Sequence, residues 1–243
     1  MTSTGLKLLA LALMTIDHIG EFIPHTPLLL RYLGRLSAPL FVFCSVWGFH
    51  CTHSKPIYLL RLYCLGAAMS LMNFFLNRSV YHPYFEITNN IFTTLFLISL
   101  LQWLLSRREK RLLWLAAFSL WQLFAYFLVS LSSPYELSGI AAAVTASIPH
   151  CEGGLCWVLL GVGMGYFRED RKKLGLFYGL CCTFLLLTAL PYGLLNSFQW
   201  MMIFSLPLML CYNGQRGKSL KALFYLYYPA HIAVLFVLGN ALR

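Results

Sequence analysis

The chain has 243 residues, of which 59% are hydrophobic, 16% aromatic and only 11% charged, and its mean hydropathy is +0.70. Soluble domains carry roughly 25% charged residues, so this composition excludes a soluble protein and predicts a single integral-membrane domain over residues 1–243. The net charge of +10 would suit a nucleic-acid partner, but the basic residues lie in short runs between apolar segments. That distribution is typical of the cytoplasmic loops of membrane proteins, and we expect no nucleic-acid binding.

Apolar runs long enough to cross about 30 Å of hydrocarbon predict the membrane-spanning helices. The first run has no small-residue cleavage site and contains ionisable residues, so we expect it to be retained rather than removed as a signal peptide. The predicted fold class is an all-α polytopic membrane protein, a bundle of about nine or ten transmembrane helices. The predicted spans lie near 6–24, 36–52, 57–77, 87–105, 111–131, 154–167, 174–190, 197–213 and 221–241.

Three basic runs predict the orientation of these helices. The runs occupy 107–111, 168–173 and 216–218, the last together with Lys221. The positive-inside rule places all three in the cytoplasm, so an even number of crossings must separate the first two, yet three apolar stretches lie between them. We therefore expect the weakest stretch, 136–150, to be re-entrant or interfacial, which is tolerated where irregular backbone lines a protein cavity. The resulting topology places Lys7 and Lys55 inside, and the 25–35 loop, the 78–86 loop and Arg243 outside.

The first predicted helix contains three ionisable residues within five positions, Asp17, His18 and Glu21. A central Asp alone costs roughly 2.5–3.5 kcal/mol in a transmembrane helix, so we expect a functional site here; an interhelical hydrogen-bond staple is the alternative. Glu21 lies one turn from both neighbours, where a carboxylate would fix the tautomer of His18 and raise its basicity, as a general base requires. Lys7 lies about 16 Å before His18 on the same face. We expect no three metal ligands at one depth, and hence no metal site.

Two arginines open the second predicted helix. Arg31 and Arg35 are i,i+4 partners at the outer end of the first helical hairpin. Arg31 fits either an interfacial anchor, with its charged head in water, or an inward role. We expect Arg35 to point inward, because Gly34 lets a neighbouring backbone approach closely.

Short motifs are distributed along the chain in a particular order. They are Lys7 followed after ten residues by Asp17-His18, Gly34-Arg35-Leu36-Ser37-Ala38-Pro39-Leu40-Phe41, Trp47-Gly48-Phe49, Tyr58-Leu59-Leu60-Arg61-Leu62, Asn90-Ile91-Phe92, Gly214-Gln215-Arg216-Gly217-Lys218 and Phe224-Tyr225-Leu226-Tyr227-Tyr228-Pro229-Ala230-His231-Ile232. Together they resemble the signature of the TraX family, and the resemblance covers almost the whole chain.

The resemblance implies a multi-pass acetyltransferase of the bacterial cytoplasmic membrane that acetylates the N-terminal amine of a conjugative pilin. The TraX family is also distantly similar to the larger membrane-bound acyltransferase superfamily, in which an Arg, ten residues and a His mark the first helix. Lys7 stands in place of that Arg here. Lysine keeps the charge but loses the bidentate geometry of a guanidinium.

The implied co-substrate is cytoplasmic acetyl-CoA. By resemblance, His18 would be the general base, Asp17 and Glu21 would assist it, and Arg35 or a nearby amide would stabilise the tetrahedral oxyanion. The candidate co-substrate contacts are Lys7, Arg61 and His231. Arg61 also fits a positive-inside anchor, and His231 also fits an interfacial aromatic belt.

Several functional alternatives stay open on sequence grounds. The acetyl group would pass directly to the acceptor or by way of an acyl-histidine. The acceptor would be a pilin-like or other hydrophobic peptide, with O-acetylation of surface glycans as the main rival. A proton-coupled transporter is the competing class, because Asp17, His18 and Glu21 would also suit a proton relay.

Overall fold

The computed structural model describes residues 1–80, 86–132 and 137–242. Over these ranges the chain forms helices and short connections with no β-strand, so the predicted all-α class is confirmed. The α-helices are α1 (Ser3–Phe22), α2 (Leu29–Gly34), α3 (Ser37–Cys51), α4 (Lys55–Ser79), α5 (Ile91–Ser106), α6 (Arg111–Ser130), α7 (Ser138–Thr145), α8 (Gly154–Tyr166), α9 (Arg171–Ala189), α10 (Leu206–Leu210) and α11 (Lys221–Ala241). Short 3-10 helices occupy Ile148–His150, Leu190–Tyr192 and Gln199–Ser205.

Five helical segments of the described chain are long and apolar enough to cross a membrane, which makes this a multi-pass membrane protein. They are Leu29–Cys51, Lys55–Ser79, Arg111–Ser130, Arg171–Tyr192 and Lys221–Ala241. Three further apolar helices are shorter, at Ile91–Ser106, Gly154–Tyr166 and Gln199–Leu210. The count of about nine or ten crossings stays a prediction.

The predicted spans agree with the helices to different degrees. Helix α11 covers the predicted span 221–241 residue for residue. Helix α1 overlaps the predicted first span, beginning three residues before it and ending two residues before its end. It is outside the set of five, because its ionisable side chains lower its hydropathy. The predicted span 197–213 is irregular: a 3-10 helix leads into α10, which has only five residues.

The described part of the predicted re-entrant stretch contains one short α-helix, α7, of eight residues. Such a helix is about 12 Å long, too short for about 30 Å of hydrocarbon. Beyond it the backbone turns at Ala146 (φ 50°), and α6 satisfies the freed groups. The amide of Gln122 donates to the Ala146 carbonyl at 3.1 Å and accepts from the Ile148 N–H at 2.8 Å. The position of the stretch 136–150 in the membrane stays a prediction. Residue 136, His82 and Arg243 lie outside the described residues.

The chain divides into two compact units, and the functional candidates on α1 belong to the first. The first unit comprises 1–44 and 166–243; within it α1 packs against α2 and α11, while α9 packs against Gln199–Ser205 and α10. The second unit comprises 45–165, where α4 packs against α5 and α7. The assignment of 1–243 to one domain stays a prediction.

Helix α9 begins at the second basic run, and its start shows how that run is ordered. Asp170 is the N-cap, and its Oδ1 accepts from the backbone N–H groups of Lys172 and Lys173 at 3.0 and 3.1 Å. These bonds, chiefly the one from Lys173, lower the pKa of the Asp170 carboxyl. A carboxylate at this position also complements the positive end of the helix dipole.

Candidate active site

The polar residues of α1 are buried. Asp17 is 7% exposed and His18 is 5% exposed, while Glu21, one turn further along, is half-buried. The side chains face other parts of the first unit, as the cost of placing ionisable groups in lipid requires.

Two arginines compensate the carboxylates. Arg31 Nη1 lies 3.1 Å from Asp17 Oδ1 and 2.6 Å from Glu21 Oε2. Arg35 Nη2 forms an ion pair with Asp17 Oδ2. Of the two roles that the sequence left open for Arg31, an interfacial anchor and an inward role, the structure shows the inward one. The i,i+4 spacing of Arg31 and Arg35 carried this signal, because such residues lie on one side of a helical turn.

Gly34 allows this cluster to form. A Cβ atom at position 34 would overlap the side chain of Asp17, so α2 meets α1 at a distance that only glycine permits. The predicted close approach at Gly34 is present, but the neighbour is the Asp17 side chain rather than a backbone.

Arg35 has further partners in the same unit. Its Nη1 donates to Gln199 Oε1 at 3.3 Å, and its guanidinium carbon lies 5.5 Å from the centre of the Phe198 ring. The inward orientation of Arg35 is confirmed, whereas its contact with an oxyanion stays a prediction. Sequence reasoning missed Gln199, since nothing local links it to a residue 164 positions away.

The partner of His18 is His231, on α11. Nδ1 of His18 lies 2.6 Å from Nε2 of His231. The ring centres are 4.9 Å apart and the ring planes differ by 19°. The distance between the ring centres exceeds the distance between the two nitrogens by the sum of the two ring radii. The rings therefore meet edge to edge, and the hydrogen bond lies close to both ring planes.

This contact changes two interpretations made from the sequence. Glu21 was expected to orient His18, but its carboxylate pairs with Arg31, and the Nδ1 of His18 bonds to His231. His231 was expected near the co-substrate entrance, and the structure brings it to the imidazole of His18. A contact between His231 and the co-substrate stays a prediction.

Helix α11 holds His231 firmly. Its Nδ1 lies 2.7 Å from the carbonyl oxygen of Tyr227, one turn earlier, and the Tyr227 ring stacks on it with centres 5.0 Å apart. The Tyr227 hydroxyl in turn bonds to Thr15 Oγ1 at 2.8 Å. A Cβ at Gly239 would overlap the Phe22 carbonyl, so α1 and α11 also approach closely near their C-terminal ends.

Comparison with known proteins identifies the family. A family model described as "TraX protein" matches residues 3–239. The chain belongs to the TraX family. It is also similar to the probable fimbrial assembly protein FimC, serogroup H1, of Dichelobacter nodosus, with 26% identity over 248 residues that cover 95% of this chain and 92% of that protein. No solved structure matches the chain significantly.

In this TraX-family chain, Lys7 lies in a basic environment at the start of α1. The backbone N–H groups of Ser3 and Thr4 donate to the carbonyls of Gln215 and Arg216 at 2.8 and 3.1 Å, so the loop before α11 is fixed around the helix N-terminus. Arg216 and Lys221 interact electrostatically with Lys7. Over the described ranges, no carboxylate lies within ion-pair distance of the Lys7 amine.

The remaining candidate contact, Arg61, lies on α4 in the second unit of the TraX-family chain. Its role toward the co-substrate stays a prediction.

The sequence predicted that no three metal ligands lie at one depth, and this premise was wrong. One ligand atom from each of Asp17, His18 and Glu21 lies within 4.8 Å of the others, so three donors do lie together. Both carboxylates are nonetheless bound by guanidinium groups of Arg31 and Arg35, whose positive charges oppose a bound cation. The absence of a metal stays a prediction that these charges favour.

Proposed function

We propose that this protein is a membrane acetyltransferase that transfers an acetyl group from acetyl-CoA to an amine, with His18 as the general base. One observation carries the proposal. His18 is a buried imidazole held at Nδ1 by a second histidine, and its Nε2 has no hydrogen-bond partner in the described part of the chain. An oriented imidazole with one uncommitted nitrogen is suited to take a proton from an attacking group.

The reaction proceeds by direct transfer in this proposal. The neutral amine of the acceptor attacks the thioester carbonyl, and its proton passes to Nε2 of His18. The carbon–sulfur bond then breaks as the carbonyl re-forms, and the proton passes from His18 to the sulfur of CoA. The products are the acetylated amine and free CoA. Direct transfer requires both substrates to be held together at His18, which lowers the entropic part of the barrier.

The ion-pair cluster supplies two fixed guanidinium groups beside the reacting centre. The guanidinium groups of Arg31 and Arg35 are held by Asp17 and Glu21, so they need not reorganise as negative charge develops on the thioester oxygen. Preorganised charge of this kind is an effective source of transition-state stabilisation. Asp17 and Glu21 therefore act through the arginines, and Arg35 is our candidate for the oxyanion.

The basic residues at the start of α1 favour a phosphate-bearing co-substrate. Lys7, Arg216 and Lys221 concentrate positive charge there, and His18 lies about 16 Å further along the same face of α1. Acetyl-CoA carries its phosphates and its thioester at opposite ends of an extended arm. Phosphates bound at Lys7 would therefore direct the arm along α1 toward His18.

We propose the N-terminal amine of a pilin-like or other hydrophobic peptide as the acceptor, and the bacterial cytoplasmic membrane as the location. Two findings support the acceptor: membership of the TraX family and similarity to a protein named for fimbrial assembly. A hydrophobic peptide in the bilayer would reach a buried histidine from within the membrane.

The test uses the purified full chain in lipid nanodiscs with radiolabelled acetyl-CoA and a synthetic peptide that has a free N-terminus. We expect His18→Ala to lower the transfer rate by about 100- to 10,000-fold, the usual contribution of a general base, while acetyl-CoA binding is retained. The matched control is His53→Ala, which removes an exposed histidine and should transfer at the normal rate.

Three results would contradict parts of this proposal. A fully active His18→Ala protein would exclude His18 as the base. Acetyl marks lost only from surface glycans in cells lacking the gene would replace the amine by a hydroxyl acceptor. Failure of the wild-type protein to bind acetyl-CoA, together with proton flux across vesicles that contain it, would favour the transporter class.

A further inference from the structure

Two hydrogen bonds in series determine where the protons lie on His18 and His231. The carbonyl oxygen of Tyr227 only accepts, so the Nδ1 of His231, 2.7 Å away, must carry a proton and donate it. In neutral His231 the other nitrogen, Nε2, is then unprotonated and accepts. The Nδ1 of His18, 2.6 Å from that nitrogen, must therefore be the donor. Neutral His18 is left with its lone pair on Nε2.

We infer that His231 is a positioning residue that selects the reactive tautomer of His18. This inference rests on the proposed function, because it assigns a role to His231 in the reaction of His18. The backbone carbonyl of Tyr227 is the fixed end of the chain of bonds, since it belongs to a helix and cannot change its protonation. The sequence suggested a carboxylate for this task, but Glu21 is committed to Arg31.

A neutral histidine suits the surroundings of His18 better than a carboxylate would. The adjacent Asp17 and Glu21 already balance Arg31 and Arg35, so a third carboxylate would add an uncompensated buried negative charge. His231 orients His18 without adding a charge. An orienting partner of a catalytic imidazole acts in this way, by fixing the tautomer and the ring position.

The same arrangement serves the protonated stage of the reaction. When Nε2 of His18 has taken the proton of the attacking amine, Nδ1 keeps its proton and its hydrogen bond to the neutral Nε2 of His231. A hydrogen bond with a charged donor is about twice as strong as a neutral one, so the bond strengthens as the positive charge forms. The proton then leaves Nε2 for the CoA sulfur, and both rings return to their initial tautomers.

Two substitutions at position 231 separate this role from packing. In His231→Gln, the side-chain oxygen can occupy the place of Nε2 and still accept from Nδ1 of His18. In His231→Phe, a ring of similar shape remains but the acceptor is lost. Asn240→Ala is the matched control, because it removes a side-chain hydrogen bond on α11, from Asn240 to the Phe236 carbonyl, and leaves both imidazoles and their partners intact.

The experiment measures transfer rates and proton positions on the full chain in nanodiscs. For the wild type, nitrogen-15 NMR of histidine-labelled protein, with the His18 signals identified by their loss in His18→Gln, should show a protonated Nδ1 and an unprotonated Nε2. His231→Phe should lose this preference and lower kcat by about 100- to 10,000-fold with KM for acetyl-CoA unchanged. His231→Gln should restore most of the rate, and Asn240→Ala should resemble the wild type.

Each contrary result is distinct. A wild-type His18 that carries its proton on Nε2 overturns the inference, as does a His231→Phe protein with the wild-type rate. Equal loss in His231→Gln and His231→Phe assigns His231 a packing role and also overturns it. If the wild type transfers no acetyl group to any acceptor, the proposed function fails, while the NMR signals still decide the tautomer of His18.

Discussion

Replacing Asp17 by Asn tests whether the ion-pair cluster is the structural support of the site. Asp17 is the anion that both arginines share, and its side chain is only 10% exposed. Asn keeps the shape and removes the charge. Arg31 would retain Glu21 at 2.6 Å, whereas the Arg35 side chain would retain only neutral acceptors in the described chain, the new amide oxygen at position 17 and the amide oxygen of Gln199.

The magnitude follows from the burial of this pair. Removing one partner of a buried ion pair costs about 3–5 kcal/mol, because the other charge is left uncompensated. The arginine side chains are 19–20% exposed, so water reaches them in part and the lower end applies, about 3 kcal/mol. The equilibrium constant for unfolding should therefore rise by somewhat more than 100-fold, since about 1.4 kcal/mol corresponds to a factor of ten.

Glu21→Gln is the matched control, because it also neutralises one carboxylate of the cluster. Arg31 would still contact Asp17 through both its carboxylate and its backbone carbonyl, each at 3.1 Å. We expect a loss of about 1 kcal/mol, typical of one hydrogen bond. The measurement is reversible unfolding in mixed micelles of the wild type and both variants at one ionic strength.

The outcome that refutes this reasoning is a loss in Asp17→Asn no larger than that in Glu21→Gln. A double-mutant cycle with Arg35→Gln provides a second measurement of this ion pair. It should give a coupling energy of about 0.5–3 kcal/mol between positions 17 and 35. A coupling near zero would mean that the ion pair contributes nothing to stability.

Two further predictions concern packing and topology. Gly34→Ala should lower the free energy of unfolding by about 1–3 kcal/mol, because the added methyl group overlaps Asp17. Gly179→Ala is the control and should be neutral or stabilising, because its methyl group meets nothing within 4 Å. Equal free energies of unfolding in the two variants would exclude the close approach at Gly34. Reporter fusions at positions 108, 171 and 217 should lie in the cytoplasm, and fusions near 82 and 194 outside; reporters at 108 and 171 on opposite faces would show that 136–150 crosses the membrane.

The sequence alone determined the class of the protein and the residues of interest on α1. A charged fraction of 11% excludes a soluble fold whatever the arrangement of the helices, because too few groups can be hydrated. The inward position of Asp17 and His18 followed from the cost of charge in lipid. The bounds of α11 followed from an apolar run between a basic loop and Arg243.

Only the tertiary structure decided which residues these groups meet. His18 and His231 are 213 positions apart, and Arg35 and Gln199 are 164 apart. Helical periodicity specifies neighbours within one helix, one turn away, and so it indicated Glu21 as the partner of His18. Partners on another helix depend on how closely the two helices pack, which here requires glycines at positions 34 and 239. That packing is a property of the folded chain. It pairs Glu21 with Arg31 and His18 with His231.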